Sequence, residues 1–155
     1  MSTRSKSLIA AAFLISLPAL ASAQQCPSYE SPGASLSYSS QDVWVPQSQT
    51  VIAGGDIDLA QCGALEAVGH VVENPDFTLQ YDDEGLGRAL EFRVTADCDA
   101  VLLVNSATGA WAFNDDDESS DPRIRFEGAP GGRYDIWVGT YDPATCEATL
   151  TIESF

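Results

Sequence analysis

CDAVLLVNSATGAWAFNDDDESSDPRIRFEGAPGGRYDIWVGTY, residues 98–141, decides how this chain folds. Ala100 to Val104 is apolar at every position, as a strand covered on both faces must be. Ser106 to Gly109 reads as a turn and Trp111-Ala112-Phe113 as a short strand. An acidic loop runs from Asn114 to Asp121, and Pro122 closes it. Arg123-Ile124-Arg125-Phe126 then alternates. Pro130-Gly131-Gly132 turns the chain into Tyr134 to Val138, with Tyr134, Ile136 and Val138 on one face and Trp137 on the other. A period of two, with no helical repeat between the segments, describes paired strands.

The same rhythm extends outward. Upstream, Asp76 to Tyr81 places Phe77, Leu79 and Tyr81 on one side. Arg88 to Thr95 places Leu90, Phe92 and Val94 inward and Glu91, Arg93 and Thr95 outward. Downstream, Ala148 to Ile152 is the last strand. Asp42-Val43-Trp44-Val45 reads as a short strand ended by Pro46. Thr50 to Ala53 and Asp56 to Leu59 read as the arms of a hairpin turning at Gly54-Gly55, and His70 to Val72 as a further strand. The one helical candidate, Leu59 to Val68, is interrupted by Gly63. The expected fold is all-β, an antiparallel jelly-roll-like β-sandwich at residues 76–155. Residues 24–75 are expected to form an N-terminal β extension packed on it, covering the face that carries Trp137.

The first 23 residues read as a signal peptide. Arg4 and Lys6 give a basic start, Leu8 to Leu20 an apolar run too short to span a bilayer, and Ala21-Ser22-Ala23 a small-residue cleavage site. Cleavage leaves no membrane-inserted segment and implies a periplasmic or extracellular protein. It also removes two basic residues and no acidic ones from a chain whose formal net charge is already −16. Such a surface repels nucleic acid and anionic lipid and attracts cations. The four cysteines, Cys26, Cys62, Cys98 and Cys146, all lie in the exported part, an even number that calls for two disulfides. Three pairings are open. Cys26–Cys62 with Cys98–Cys146 is the favoured one, because it staples the N-terminal third and the sandwich separately.

The order ADCDAVLLVN, GAWAFNDDD, DPRIRF, GRYDIWVGTY, ATLTIE resembles the bacterial pre-peptidase C-terminal domain family. The resemblance covers Asp76 to Glu153. It rests most on Asp99 before the apolar strand, the acidic loop after the Trp/Phe strand, and Gly-x-Tyr-x-Ile-x-Val. It implies a small jelly-roll sandwich, exported, of the kind that accompanies secreted proteases and is not itself the catalyst. The strand pattern, the signal peptide and the acidic loop together lead to the expected role, a non-catalytic binding or interaction module for a protein or glycan partner. Secreted hydrolase or peptidase and structural envelope protein are the alternatives.

The acidic loop is the first candidate site. Asn114, Asp115, Asp116, Asp117, Glu118 and Asp121 bring six oxygen-bearing side chains into eight positions, and calcium takes six to eight oxygens. The spacing lacks the glycine and the terminal glutamate of an EF-hand. Calcium held by acidic side chains in similar domains, as the resemblance implies, makes Asp99, Asn114, Asp115, Asp116, Asp117 and Asp121 the candidate ligands. Arg123 and Arg125 on the following strand are rival partners for the same carboxylates. No catalytic residue is assigned. The single histidine, His70, sits in a strand, no G-x-S-x-G elbow is present, and oxidised cysteines supply no thiolate. Three tryptophans and five tyrosines offer material for an aromatic face toward sugar or peptide.

Overall fold

The computed structural model describes residues 25–155 apart from Ala64 and Glu118; the signal peptide read at residues 1–23 lies outside the described residues. In chain order the strands are β1 (Ala34–Ser39), β2 (Gln47–Ala53), β3 (Ile57–Asp58), β4 (His70–Val71), β5 (Phe77–Asp82) and β6 (Leu90–Ala96). They continue with β7 (Ala100–Asn105), β8 (Trp111–Asn114), β9 (Arg123–Phe126), β10 (Gly132–Thr140) and β11 (Cys146–Ser154). They form two sheets, one of β1, β5, β10, β4, β3, β7 and β8, the other in the order β2-β11-β6-β9. No helix among the described residues is long and apolar enough to cross a membrane.

The alternating residues do what their spacing demands. Phe77, Leu79, Leu90, Phe92, Val94, Leu102, Val104, Tyr134, Ile136, Val138, Leu150 and Ile152 meet between the sheets as one core. β7 is buried along its whole length and lies between β10 and β8, which is why both of its faces are apolar. Its other face carries Val101 and Leu103, which join Trp137, Ile57, Leu59, Cys62, Ala67 and Val71 in a second cluster. Trp137 is fully buried there, under the segment between β3 and β4. The expected cover over its face is therefore present.

The two expected disulfides form, Cys26–Cys62 and Cys98–Cys146, with Cα separations of 5.8 and 6.3 Å. Two bridges and no free cysteine among the described residues mark a protein of an oxidising compartment.

Three local expectations fail, each for a stated reason. Asp42-Val43-Trp44 is a 3-10 turn and not a strand. Ser39 and Asp42 close it reciprocally: the Ser39 amide donates to Asp42 Oδ2 at 2.8 Å and the Asp42 amide to Ser39 Oγ at 3.2 Å. Val43 still reaches the core, while Trp44 lies exposed against the Arg88 guanidinium at 4.3 Å. The hairpin at Gly54-Gly55 does not form either. β2 belongs to one sheet and β3 to the other, and the two glycines carry the chain between them. Gly54 has φ of 104°, and a Cβ on Gly55 would collide with the Val71 backbone. In Leu59 to Val68, the candidate that Gly63 interrupts, the described residues form only a 3-10 turn at Leu59–Gln61, in keeping with the all-β expectation. Finally, the pairing is not antiparallel throughout. β1 runs parallel to β5, from Ala34 opposite Phe77 to Ser39 opposite Asp82. A parallel neighbour needs a long crossover, and the chain supplies it by visiting the other sheet as β2 before returning.

Residues 25–75 are thus woven into both sheets, β1, β3 and β4 into one and β2 into the other.

Candidate functional site

The loops β6–β7, β8–β9 and β10–β11 leave the sandwich at the same end. The register puts them there: Ala100 at the start of β7 faces Thr140 at the end of β10, and Ala96 at the end of β6 faces Ala148 near the start of β11. The Cys98–Cys146 bridge ties two of the loops, and the Tyr141 amide donates to the Asp99 carbonyl at 2.9 Å. Asp97 and Asp99 flank one cysteine of that bridge, Glu147 follows the other, and Asp142 lies in the same loop. Partial desolvation, then the negative charges of Asp116, Asp115 and Asp142, raise the Asp99 carboxyl above its ordinary value.

The expected ligands divide into two groups. Asn114, Asp117 and Asp121 are committed to holding the loop. Asn114 Oδ1 accepts from the Arg123 amide at 3.0 Å and its Nδ2 donates to the Asp116 carbonyl at 3.0 Å. Asp117 pairs with Arg123 at 2.8 Å, and Asp121 Oδ1 accepts from the Ala96 amide at 3.2 Å. Asp99, Asp115 and Asp116 are the ones left facing each other's charge. Among the described residues no three acidic, histidine or cysteine side chains converge closely enough to hold a metal ion. Of the two rival arginines, Arg123 takes the loop, while Arg125 turns to Glu127 at 2.8 Å and Glu91 at 3.4 Å.

The remaining arginines are also engaged elsewhere. Arg93 pairs with Glu91 and Glu153, each at 2.6 Å, Arg133 pairs with Asp135 at 2.8 Å, and Arg88 lies over Trp44. Among the described residues, none forms an ion pair with Asp97, Asp99, Asp115, Asp116, Asp142 or Glu147. Sequence reasoning missed Asp97, Asp142 and Glu147, although a signal existed: all three lie within four positions of a cysteine of the favoured Cys98–Cys146 pair.

Beside this end, the outer face of the four-stranded sheet has an open depression of about 620 Å³. Thr50, Thr149 and Thr95 cross it as a row, one from each of β2, β11 and β6, and Ile52, Glu147 and Asp97 border it. His70 is half-buried, and its residue pairs with Asp58 and Thr140 across the sheet. Among the described residues its imidazole meets no carboxylate within ion-pair distance. Of the aromatic residues, Trp137 is buried, while Tyr29 and Tyr141 are half exposed, Tyr29 stacking on Trp111 at 5.9 Å.

No family model matches the chain, and no curated protein matches it. Solved structures of similar fold include the following two. One is the pre-peptidase C-terminal domain of a collagenase from Bacillus anthracis, at 11% identity and a TM-score of 0.44, the match covering 80% of this chain and 99% of that one. The other is PliG of Aeromonas hydrophila, a periplasmic inhibitor of g-type lysozyme, at 9% identity and a TM-score of 0.40, covering 79% and 99%.

Proposed function

We propose that this protein is a non-catalytic exported binding module, of the pre-peptidase C-terminal type, whose ligand is a cationic polypeptide in the periplasm or outside the cell. The observation that carries this reading is the division of charge. Of the described arginines only Arg123 reaches the β6–β7, β8–β9 and β10–β11 loops, where it takes Asp117, and among the described residues the carboxylates of Asp97, Asp99, Asp115, Asp116, Asp142 and Glu147 have no ion-pair partner. Like charges gathered at one end repel each other, and a partner bearing lysine or arginine relieves that repulsion while being steered toward it. Calcium is a second ligand of the same reading, held by Asp99, Asp115 and Asp116 after the loop rearranges.

Fluorescence anisotropy with a labelled oligo-arginine tests the proposal. Binding is expected to weaken about tenfold between roughly 0.05 and 0.3 M salt, and by about tenfold again in the variant Asp99→Asn/Asp116→Asn/Asp142→Asn. Binding that ignores these substitutions, or no binding at all, overturns it.

A further inference from the structure

We propose that β2 is a docking edge, to which an extended segment of another polypeptide adds as a new strand, with lysine or arginine at alternate positions reaching Glu147. The inference rests on the cationic-ligand reading above and adds the mode of binding. β2 is the outer strand of its sheet, and its seven residues, Gln-Ser-Gln-Thr-Val-Ile-Ala, carry no charge and no proline. Its register with β11 runs unbroken from Ala53 opposite Cys146 to Gln47 opposite Ile152, so no bulge twists the edge away. Among the described residues no hydrogen bond from outside the sheet engages the backbone of Ser48 to Ala53. Exposed edges are ordinarily blunted by charge, proline, a bulge or shortness. The opposite edge, β9, has four residues and two arginines, and β3 has two residues. β2 has none of these protections.

The whole molecule's charge supplies one instead. At a formal net charge of −16, a second copy is repelled before its own β2 can pair. That protection fails for a cationic strand. Adjacent strands lie about 4.8 Å apart, so a strand added beyond β2 stands about 10 Å from β11. Its side chains on the outer face lie beside Thr50 and Ile52, and Glu147 is directly opposite Ile52. Glu147 is then within the combined reach of a glutamate and a lysine or arginine, and the depression bordered by Thr95, Thr149 and Asp97 gives the cation room. β1 is also an uncharged edge, but its neighbour β5 has no carboxylate before its last residue, Asp82, which accepts from the Glu84 amide in its own turn.

Three synthetic peptides test this on the exported protein: alternating Arg-Thr, the same peptide N-methylated at every second amide along one edge, and alternating Glu-Thr. The Arg-Thr peptide is expected to bind and to protect amides within Ser48 to Ala53 from hydrogen exchange. N-methylation is expected to weaken it about tenfold, Glu147→Gln severalfold, and Glu-Thr is expected not to bind. Equal affinity for the N-methylated peptide overturns strand addition and leaves the cationic-ligand reading standing. Failure of both arginine peptides to bind overturns both. Exchange protection confined to β1 overturns the assignment to β2.

Discussion

Asp76 Oδ2 accepts a hydrogen bond of 2.7 Å from the Val138 amide, where β10 passes the gap between β4 and β5. Both strands line the same side of β10, β5 opposite Gly132 to Ile136 and β4 opposite Thr140. Val138 falls between them. Its carbonyl accepts from the Gly54 amide at 3.1 Å, so a carboxylate and a crossing glycine together replace the missing strand.

This seam is expected to give a measurable pH dependence. Burial is the main influence on Asp76, opposed by the Val138 hydrogen bond, and it pushes the carboxyl up to about 7. The folded state therefore holds a proton that the unfolded state has lost between about pH 4 and pH 7, so this group's contribution falls as pH rises through that window. Asp76→Asn keeps an acceptor for Val138 without the charge. It is expected to be more stable than the parent at pH 8, by at most ~4 kcal/mol, with the difference closing near pH 4. Urea denaturation at several pH values measures it; a constant difference refutes the assignment.

Each disulfide closes a long loop, 36 residues for Cys26–Cys62 and 48 for Cys98–Cys146. Chain entropy sets the loss on removing either pair, as a double substitution to alanine, at about 4 kcal/mol. Removing Cys98–Cys146 is further expected to loosen the acidic end, read as faster hydrogen exchange at Ala100 and Tyr141. Unchanged exchange there counts against the bridge as the clasp of that end.

Trp137 is fully buried, stacks on Trp111 at 5.3 Å and donates through Nε1 to the Glu73 carbonyl at 3.3 Å. Trp137→Ala is expected to cost about 3–5 kcal/mol by chemical denaturation. Trp137→Phe is expected to lose less, because much of the apolar area is kept. Comparable losses for the two would show that the indole hydrogen bond, and not the packing, holds the second cluster.

Asp135 is buried against Arg133 at 2.8 Å and accepts from Thr78 Oγ1 at 2.6 Å, while Thr78 Oγ1 accepts from the Gly33 amide at 3.0 Å. Removing the carboxylate strands a cation and a hydroxyl, so Asp135→Ala is expected to cost about 3 kcal/mol. Asp135→Asn is expected to cost less. A loss below about 1 kcal/mol for the alanine variant would class the pair with ordinary surface ion pairs.

Calcium titration distinguishes a preformed cage from a charged tip. With Asn114, Asp117 and Asp121 already bonded within the protein, binding is expected to be weak and salt-sensitive. A tight complex that raises the melting temperature by several degrees at low-millimolar calcium would show that the loop rearranges readily. Independently, Asp116→Asn is expected to lower the Asp99 carboxyl toward its ordinary value in an NMR titration, since Asp116 is the first of the charges raising it after desolvation.

Much of the fold is legible in the residues one by one. Leu90, Phe92 and Val94 point inward because alternation leaves them no other choice, and β7 is central because an all-apolar strand is stable only with both faces covered. Local pattern misled at Asp42 to Val45, where alternation was genuine but a Ser39–Asp42 pair closed a turn first. It misled at Gly54-Gly55 as well, because a pair of glycines states that the chain can bend and not which sheet it bends toward.

From its sequence alone, this protein's strand composition, its even number of cysteines and its excess of negative charge follow, since each depends on residue type and spacing. The parallel seat of β1, the gap filled by Asp76 and the open edge of β2 do not. Nor does the meeting of Asp99, Asp115, Asp116 and Asp142 at one end. These depend on which strands become neighbours, and neighbours are chosen by the burial of the whole core, a quantity that no single stretch of sequence contains.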